Sequence, residues 1–274
     1  MLVTTIMPVY NGECYITQAL NSVLGQTYPN QEILVINDAS TDLTRQILDA
    51  FCMQDNRIRV IDNPQRLRVV KSLNIGLKHA RGDLIARIDA DDIWMPQKLE
   101  LQVKAFKEDM DLYLLGTAKD IIDESGRLIS QKNYFPYYSD TDIKRNIHKA
   151  NLFTHSSVMF RRSMIERFGF YDEDFLNSED YEYWLKVTNK VKVGILNKPL
   201  VRYRLHSQSV TSLRIQQQMY YSIKARFRYA KHYSIRGFFS KYFLKEVLQL
   251  LLPIQIDQLA TSIRSSIYRL KKRF

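Results

Sequence analysis

Cysteine is nearly absent from these 274 residues: Cys14 and Cys52 are the two, far apart in the chain. A disulfide scaffold and a cysteine metal centre are excluded, and the pair reads as incidental thiols in a reducing compartment. No apolar run reaches the roughly 18 residues of a spanning helix. The N-terminus lacks a basic leader followed by a long apolar core, so no signal peptide is expected. Internal repeats and low-complexity tracts are missing too. Acids are scarce in the last quarter: residues 202–274 carry 15 Lys/Arg and 2 Asp/Glu, whereas residues 1–201 carry 25 and 27. The net charge of +11 therefore belongs to the tail, which favours an anionic surface, either phospholipid or nucleic acid. What is present, 45% apolar and 25% charged residues, suits a folded chain with one large core, or one domain plus an appendage.

The first ninety residues alternate short apolar strands with helical patterns. Strands are expected over 2–7, 32–36, 58–61 and 84–88. Between them, Tyr15, Ile16, Ala19, Leu20, Val23 and Leu24 recur at helical spacing, as do Leu43, Ile47, Leu48 and Phe51, and then Val70, Leu73, Leu77 and Ala80. Ser40 or Thr41 suits the cap of the second helix, and Gly82 the end of the third. This alternation predicts an α/β fold with a parallel, doubly wound sheet, whose ligands sit beyond the carboxyl ends of the strands. Further on, the pattern gives a helix from Pro96, a strand over 112–116 and a hairpin over 121–129. A helix follows over 140–149, a strand over 157–160, and a helix starting at Ser178, its N-cap. Two more strands are expected over 191–196 and 200–205. From Leu213 the chain reads as helical, basic and aromatic. Beyond Pro253 it shows an apolar stripe from Ile256 to Phe274.

One short stretch concentrates the chemistry. The apolar run from Leu84 to Ile88 ends in Asp89, Ala90, Asp91 and Asp92. Ionised carboxylates are too costly to leave inside a strand, so the acids belong at its end. They form either a solvated acidic turn or the oxygen ligands of a hard divalent cation such as Mg²⁺ or Mn²⁺.

Five features in order resemble the family 2 glycosyltransferases of GT-A fold. They are P-V-Y-N-G at Pro8–Gly12, N-D-A-S-T-D at Asn37–Asp42, and the block from Asn74 through A-R-G-D to D-A-D-D ending at Asp92. S-E-D-Y at Ser178–Tyr181 and R-Y-R-L-H at Arg202–His206 complete the set. The resemblance covers roughly residues 1–212. It implies a Rossmann-like, mostly parallel central sheet with helices on both faces, followed by a C-terminal helical extension over 213–274.

The same resemblance implies roles. Pro8, Val9, Tyr10 and Asn11 would line a nucleoside pocket, with Asp38 accepting a hydrogen bond from the imide of uracil or thymine. Taken alone, Asp38 fits a helix-capping turn equally well. Asp89 would meet the ribose, Asp91 would bind the metal, and Ala90 and Asp92 would contact or orient the donor sugar. His206 would be a late metal ligand or phosphate contact. Asp180 would be the general base of an inverting transfer, with Glu179 holding the acceptor or raising the Asp180 pKa. The alternative for this pair is a role as acids complementing a helix N-terminus. The aromatic loop from Phe168 to Phe175, together with Trp184, suggests an acceptor pocket. One departure stands out: Leu73 precedes Asn74 where many family members carry arginine. Lys71 is the nearest cation to replace it, without arginine's bidentate geometry.

The implied activity is metal-dependent sugar transfer, with Mn²⁺ or Mg²⁺, from a UDP-sugar to a saccharide or lipid-linked saccharide of a bacterial surface polysaccharide. The basic stripe of the tail then suits an in-plane helix at an anionic membrane, at the cytoplasmic face, and no nucleic-acid partner is expected. Two other readings compete. A nucleotidyltransferase acting on sugar phosphates would need a glycine-rich basic loop near the N-terminus, which Pro8–Gly12 does not supply. A nucleic-acid-binding protein would leave the acidic rim unexplained.

Overall fold

The computed structural model describes residues 1–131, 138–207, 214–233 and 247. Nine strands form one sheet. They are β1 (Val3–Val9), β2 (Gln31–Asn37), β3 (Ile58–Asp62), β4 (Leu84–Arg87), β5 (Ile93–Trp94), β6 (Leu112–Ile122), β7 (Leu128–Gln131), β8 (Met159–Arg161) and β9 (Lys192–Arg204). Their order is β3-β2-β1-β4-β8-β6-β9-β5, with β7 on the far part of β6. Eight helices accompany them among the described residues. These are α1 (Ile16–Leu24), α2 (Thr44–Gln54), α3 (Arg68–His79), α4 (Lys98–Glu108), α5 (Asp140–Asn146), α6 (Ser163–Phe168), α7 (Glu179–Val187) and α8 (Ile215–Tyr229).

Alternation along the strands creates two cores, one on each face of the sheet. On β1, β2 and β4, Val3, Met7, Ile33, Val35, Leu84 and Ala86 join α1, α2 and α4. Ile6, Leu34, Ile36 and Ile85 point the other way and pack with α3, α5, α6 and α7. The same parity puts Arg87, two residues after Ile85, on the α7 side. That placement shapes the site.

The expected parallel sheet is correct for the first half only. β3, β2, β1 and β4 run parallel. β8 then pairs antiparallel with both β4 and β6, and β6 runs parallel to β9. The two strands expected over 191–205 are one, Lys192–Arg204, and the strand from Leu112 continues to Ile122. The interruption at 197–199 is a register shift: Leu196 faces Thr117 while Pro199 faces Ala118. Proline has no N–H to donate, so it sits at a bulge and the ladder resumes beyond it.

Several expected caps are replaced by longer-range ties. α2 starts at Thr44, and neither Ser40 nor Thr41 caps it. Ser40 Oγ instead accepts the Asn11 N–H at 3.0 Å, and the Thr41 N–H donates to Asn11 Oδ1 at 2.9 Å. α3 ends at Ala80 rather than at Gly82. A Cβ on Gly82 would lie 2.6 Å from the Thr4 nitrogen, so glycine is needed there for the close approach of the chain to β1. Ser178 does precede α7, but its hydroxyl does not cap it.

The segment after residue 212 begins as part of the folded body. Ala225 and Arg226 of α8 are buried against α7. The apolar stripe from Ile256 to Phe274 lies outside the described residues. Among the described residues, no helix is long and apolar enough to cross a membrane.

Candidate active site

The acidic turn leaves the sheet directly after β4. One oxygen from each of Asp89, Asp91 and Asp92 lies within 4.8 Å of the others. Each carboxylate is held differently. Asp89 receives both terminal nitrogens of Arg87, and Ser156 Oγ both accepts its N–H and donates to its Oδ2, at 3.0 and 3.1 Å. Asp91 Oδ2 lies 2.8 Å from His206 Nε2. Asp92 is fully buried: Oδ1 accepts the Arg204 N–H at 2.9 Å, and Oδ2 has no hydrogen-bond partner. Burial pushes the Asp92 carboxyl well above its usual range, and the charges of Asp91 and Asp89 add to the rise.

His206 and Arg204 reach this turn because β9 pairs with β5, Arg202 facing Ile93. Arg204 is 1% exposed. Its guanidinium donates to the carbonyls of Asp91, Asp123 and Glu124 and to Gln18 Oε1, at 2.7–3.2 Å, and lies over the Tyr15 ring. It fixes the backbone of the acidic turn. Tyr15 also tilts against the His206 ring at 5.0 Å. Carboxylate oxygens with one imidazole are a donor set that suits Mn²⁺ or Mg²⁺, and beside them the buried Asp92 Oδ2 has no hydrogen-bond partner.

A second acidic group faces the turn from the first turn of α7. Asp180 Oδ2 accepts from Asn151 Nδ2 at 2.8 Å, and Oδ1 accepts the Tyr181 N–H at 2.7 Å. Glu179 is 5% exposed, with Oε1 at 3.8 Å from His155 Nδ1 and Oε2 without a hydrogen-bond partner. Burial, then the charge of Asp180, raises the Glu179 carboxyl to about 8. Burial also raises Asp180, but its two hydrogen-bond donors oppose that. Glu179 therefore favours its protonated form, while Asp180 is the member with a hydrogen-bond donor on each carboxylate oxygen. His155 is held neutral by burial and by Arg87, and its Nε2 lies 3.0 Å from the Tyr171 hydroxyl. Arg87 thus stands between the two groups: it pairs with Asp89 and favours the ionised forms of Glu179 and Asp180.

The Pro8–Gly12 segment leaves β1 beside the acidic turn, with a Cβ on Gly12 falling 3.8 Å from Ala90 Cβ. Tyr10 is partly exposed, and the Arg66 guanidinium stacks 3.7 Å above its ring. Pro8 and Val9 are the buried end of β1, and Asn11 turns away with φ +50°. Asp38 is buried and does not cap α2, the helix that follows it; it binds the start of α3 instead. Its Oδ1 accepts from Asn63 Nδ2 and the Leu67 N–H, both at 2.7 Å, and its Oδ2 accepts the Arg68 N–H at 2.8 Å. It organises the 63–68 loop that carries Arg66. Lys71 is half exposed and sits 3.7 Å from Glu173.

One expectation about these residues is corrected. Phe168–Phe175 and Trp184 do not form an aromatic-lined acceptor pocket. Trp184 and Phe175 are fully buried, and the Trp184 ring packs on Phe153, Phe160 and Tyr171. Burial of aromatic area in the core outweighs its use on the surface, and Phe170 is the aromatic of that loop that stays exposed. The N-x-G motif is also structural. Asn74 donates to the Tyr171 carbonyl at 3.0 Å and accepts the Tyr171 N–H at 3.1 Å, tying this loop to α3. A Cβ on Gly76 would lie 2.6 Å from Ile6 Cγ2, so glycine lets α3 sit close on β1.

The sequence does not single out Arg87, Asn151, His155, Ser156 or Arg66, and it gives Arg204 no role of its own within R-Y-R-L-H. An arginine inside the apolar run from Leu84 to Ile88 was the one available signal, since a buried guanidinium must have a partner. The others come from segments remote in sequence.

Comparison with known proteins identifies the family and the fold. The family model "Glycosyl transferase family 2" matches residues 4–169. An uncharacterized glycosyltransferase of Haemophilus influenzae is 35% identical over 219 residues, 77% of this chain and 68% of that protein. The Escherichia coli protein WfgD, described as a UDP-Glc:alpha-D-GlcNAc-diphosphoundecaprenol beta-1,3-glucosyltransferase, is 31% identical over 77% of this chain and 80% of its own. In fold, the chain resembles residues 1–349 of Staphylococcus aureus TarS, solved with UDP-GlcNAc, at TM-score 0.69 and 20% identity, covering 90% and 72% of the two chains. The Pyrobaculum calidifontis mannosyltransferase PcManGT, solved with GDP-Man and Mn²⁺, gives TM-score 0.64 at 19% identity, covering 91% and 70%. A curled α/β sheet of GT-A type, an acidic rim at the end of β4 and a family match over more than half its length together make this chain a member of glycosyl transferase family 2, a glycosyltransferase that uses a nucleotide sugar.

Proposed function

We propose that the chain is an inverting, divalent-cation-dependent transferase that moves a sugar from a UDP-sugar to a lipid-linked saccharide in bacterial surface-polysaccharide synthesis. The observation that carries this reading is the convergence of two acidic groups of different character on one strand end: Asp89–Asp92, and Glu179–Asp180 across Arg87. The relatives support the substrates: WfgD is named for a UDP-Glc donor and a diphosphoundecaprenol acceptor, and another E. coli relative, WbnJ, for O-antigen biosynthesis.

Asp91 and His206 are the residues that would hold Mn²⁺ or Mg²⁺. When bound, the cation neutralises charge on the departing nucleoside diphosphate. Tyr10, with Arg66 above it, and the Pro8–Asn11 segment take the nucleoside, and Asp38 and the loop it organises meet the base. Asp89 meets the ribose, its aim fixed by Arg87, and Asp92 and Ala90 border the donor sugar. Lys71 faces Glu173 at the edge of this region and contributes positive charge there. In the transfer, an acceptor hydroxyl attacks the anomeric carbon on the face opposite the diphosphate. The bond to the diphosphate oxygen breaks with its electron pair, and Asp180 takes the hydroxyl proton. Glu179 stays protonated beside it, so Asp180 carries the negative charge of the pair.

Residues 1–212 carry the catalytic residues and 213–274 form a basic extension. Cytoplasmic, peripheral placement at an anionic membrane face brings the enzyme to a lipid-linked acceptor. Thermal unfolding with UDP, with and without Mn²⁺, tests the donor half: stabilisation by UDP that requires metal supports the reading. Stabilisation by UDP that ignores metal, or none at all, contradicts it.

A further inference from the structure

Asp180 can serve as a base only while the first turn of α7 is held in one orientation. Its carboxylate is aimed by the Tyr181 N–H on Oδ1 and by Asn151 on Oδ2. The residue before α7, Ser178, does not cap that turn with its hydroxyl. The turn is held from outside, by α8. Ser178 Oγ donates to the Gln218 carbonyl at 3.0 Å and lies 3.0 Å from Ser222 Oγ, and Asn177 Nδ2 donates to Gln217 Oε1 at 2.9 Å. One turn on, Glu182 meets the Tyr229 hydroxyl and Arg228, and Arg228 also pairs with Asp172.

At the centre of this clasp is Tyr181, 1% exposed, whose hydroxyl donates to the Ile147 carbonyl at 2.9 Å and accepts from Arg226 Nε at 3.0 Å. Arg226 is itself 2% exposed, with its guanidinium 5.6 Å from the Tyr181 ring. Burying a guanidinium is unfavourable, and hydrogen bonds to it are among the stronger ones. Its bond, with that to Ile147, therefore anchors the Tyr181 side chain, and through it the position of the first turn of α7 whose Tyr181 N–H aims Asp180. The segment matched by the family model ends at residue 169, so this clasp is supplied by a later part of the chain.

We propose that Tyr181 and Arg226 are positioning residues of the transfer reaction, holding Asp180 at its working angle through the Arg226–Tyr181–Ile147 chain. The first helix of the C-terminal extension is then a working part of the acceptor side. The inference rests on Asp180 being the base.

The test uses the full chain and hydrolysis of whichever of UDP-Glc, UDP-Gal, UDP-GlcNAc and UDP-GalNAc the wild type turns over, with water as the acceptor. Tyr181→Phe removes one oxygen and keeps the ring in the core. Tyr181→Phe and Arg226→Met are each expected to lower kcat about tenfold, with the KM for the donor unchanged within twofold. The double variant is expected to match either single one, because both act through one chain of bonds. Arg226→Lys, which keeps a donor, recovers part of the loss. Folded Tyr181→Phe protein with wild-type kcat, a loss carried in KM, or fully additive losses would overturn the inference. Asp180→Asn separates the two readings. If Asp180→Asn stays active, the base assignment fails; if it is inactive while Tyr181→Phe is normal, only the clasp fails.

Discussion

The acidic rim after β4, proposed to serve the donor, and the acids opening α7, proposed to serve the acceptor, are held in different ways. On the donor rim, two of the three acids have a cationic or imidazole partner, Arg87 for Asp89 and His206 for Asp91, and Arg204 holds the backbone. At the acceptor end, Glu179 and Asp180 are adjacent, and Glu179 is raised to about 8. In the first group Asp89 and Asp91 are held against Arg87 and His206, while Asp92 behind them and Glu179 in the second group are buried acids raised above their usual range. The difference follows from surroundings: Arg87 and His206 stand against the first group, whereas burial and the neighbouring Asp180 charge act on Glu179.

The largest effects should come from breaking each group at its centre. Asp91→Ala is expected to remove donor turnover, lowering UDP-sugar hydrolysis by at least about 10³-fold. Asp180→Asn is expected to lower transfer by about 10²–10⁴-fold, the range for a lost general base, while donor KM stays close to wild type. Steady-state kinetics on both variants check this, and equal losses in the same parameter would erase the comparison.

Next in size is the clamp behind the rim. Arg204→Met leaves three carbonyls and Gln18 without their donor, and should destabilise the fold by about 2–4 kcal/mol in urea unfolding. Asn74→Ala, which frees the loop at Tyr171, should cost about 1–3 kcal/mol by the same measurement.

The smallest effect sharpens the contrast in pH. The Glu179 carboxyl is raised from 4.5 to about 8 on folding. The folded state therefore holds a proton that the unfolded state has lost between those values. Stability contributed by this group is present below pH 4.5 and declines as pH rises toward 8. Glu179→Gln, which cannot ionise, should gain about 1 kcal/mol or more over wild type at pH 8.5, and the gain should vanish near pH 4. Denaturant melts at the two pH values measure it.

Much of the rim was legible in the sequence, because a short apolar run ending in Asp89–Asp92 obeys a local rule about where charge can sit. The alternating half of the fold was legible for the same reason. The second half was not. β9 bridges a bulge at Pro199 that reads locally as a strand end, and β8 inserts antiparallel between strands distant in sequence. Arg204, Asn151 and Ser156 matter through contacts of long sequence separation, which no local pattern announces. The motif residues Asn74, Gly76 and Gly82 were visible as a signature, but their work is packing. The aromatics near Glu179 and Asp180 were visible too, and burial assigned most of them to the core.

The central claim is that the two acidic groups do separate jobs. The most direct measurement is calorimetric titration of UDP with Mn²⁺ into Asp91→Ala and Asp180→Asn, beside the wild type. The account predicts that Asp180→Asn binds UDP with wild-type, metal-dependent affinity and that Asp91→Ala loses the metal-dependent part. Equal weakening in both variants, or unchanged binding in Asp91→Ala, would contradict it.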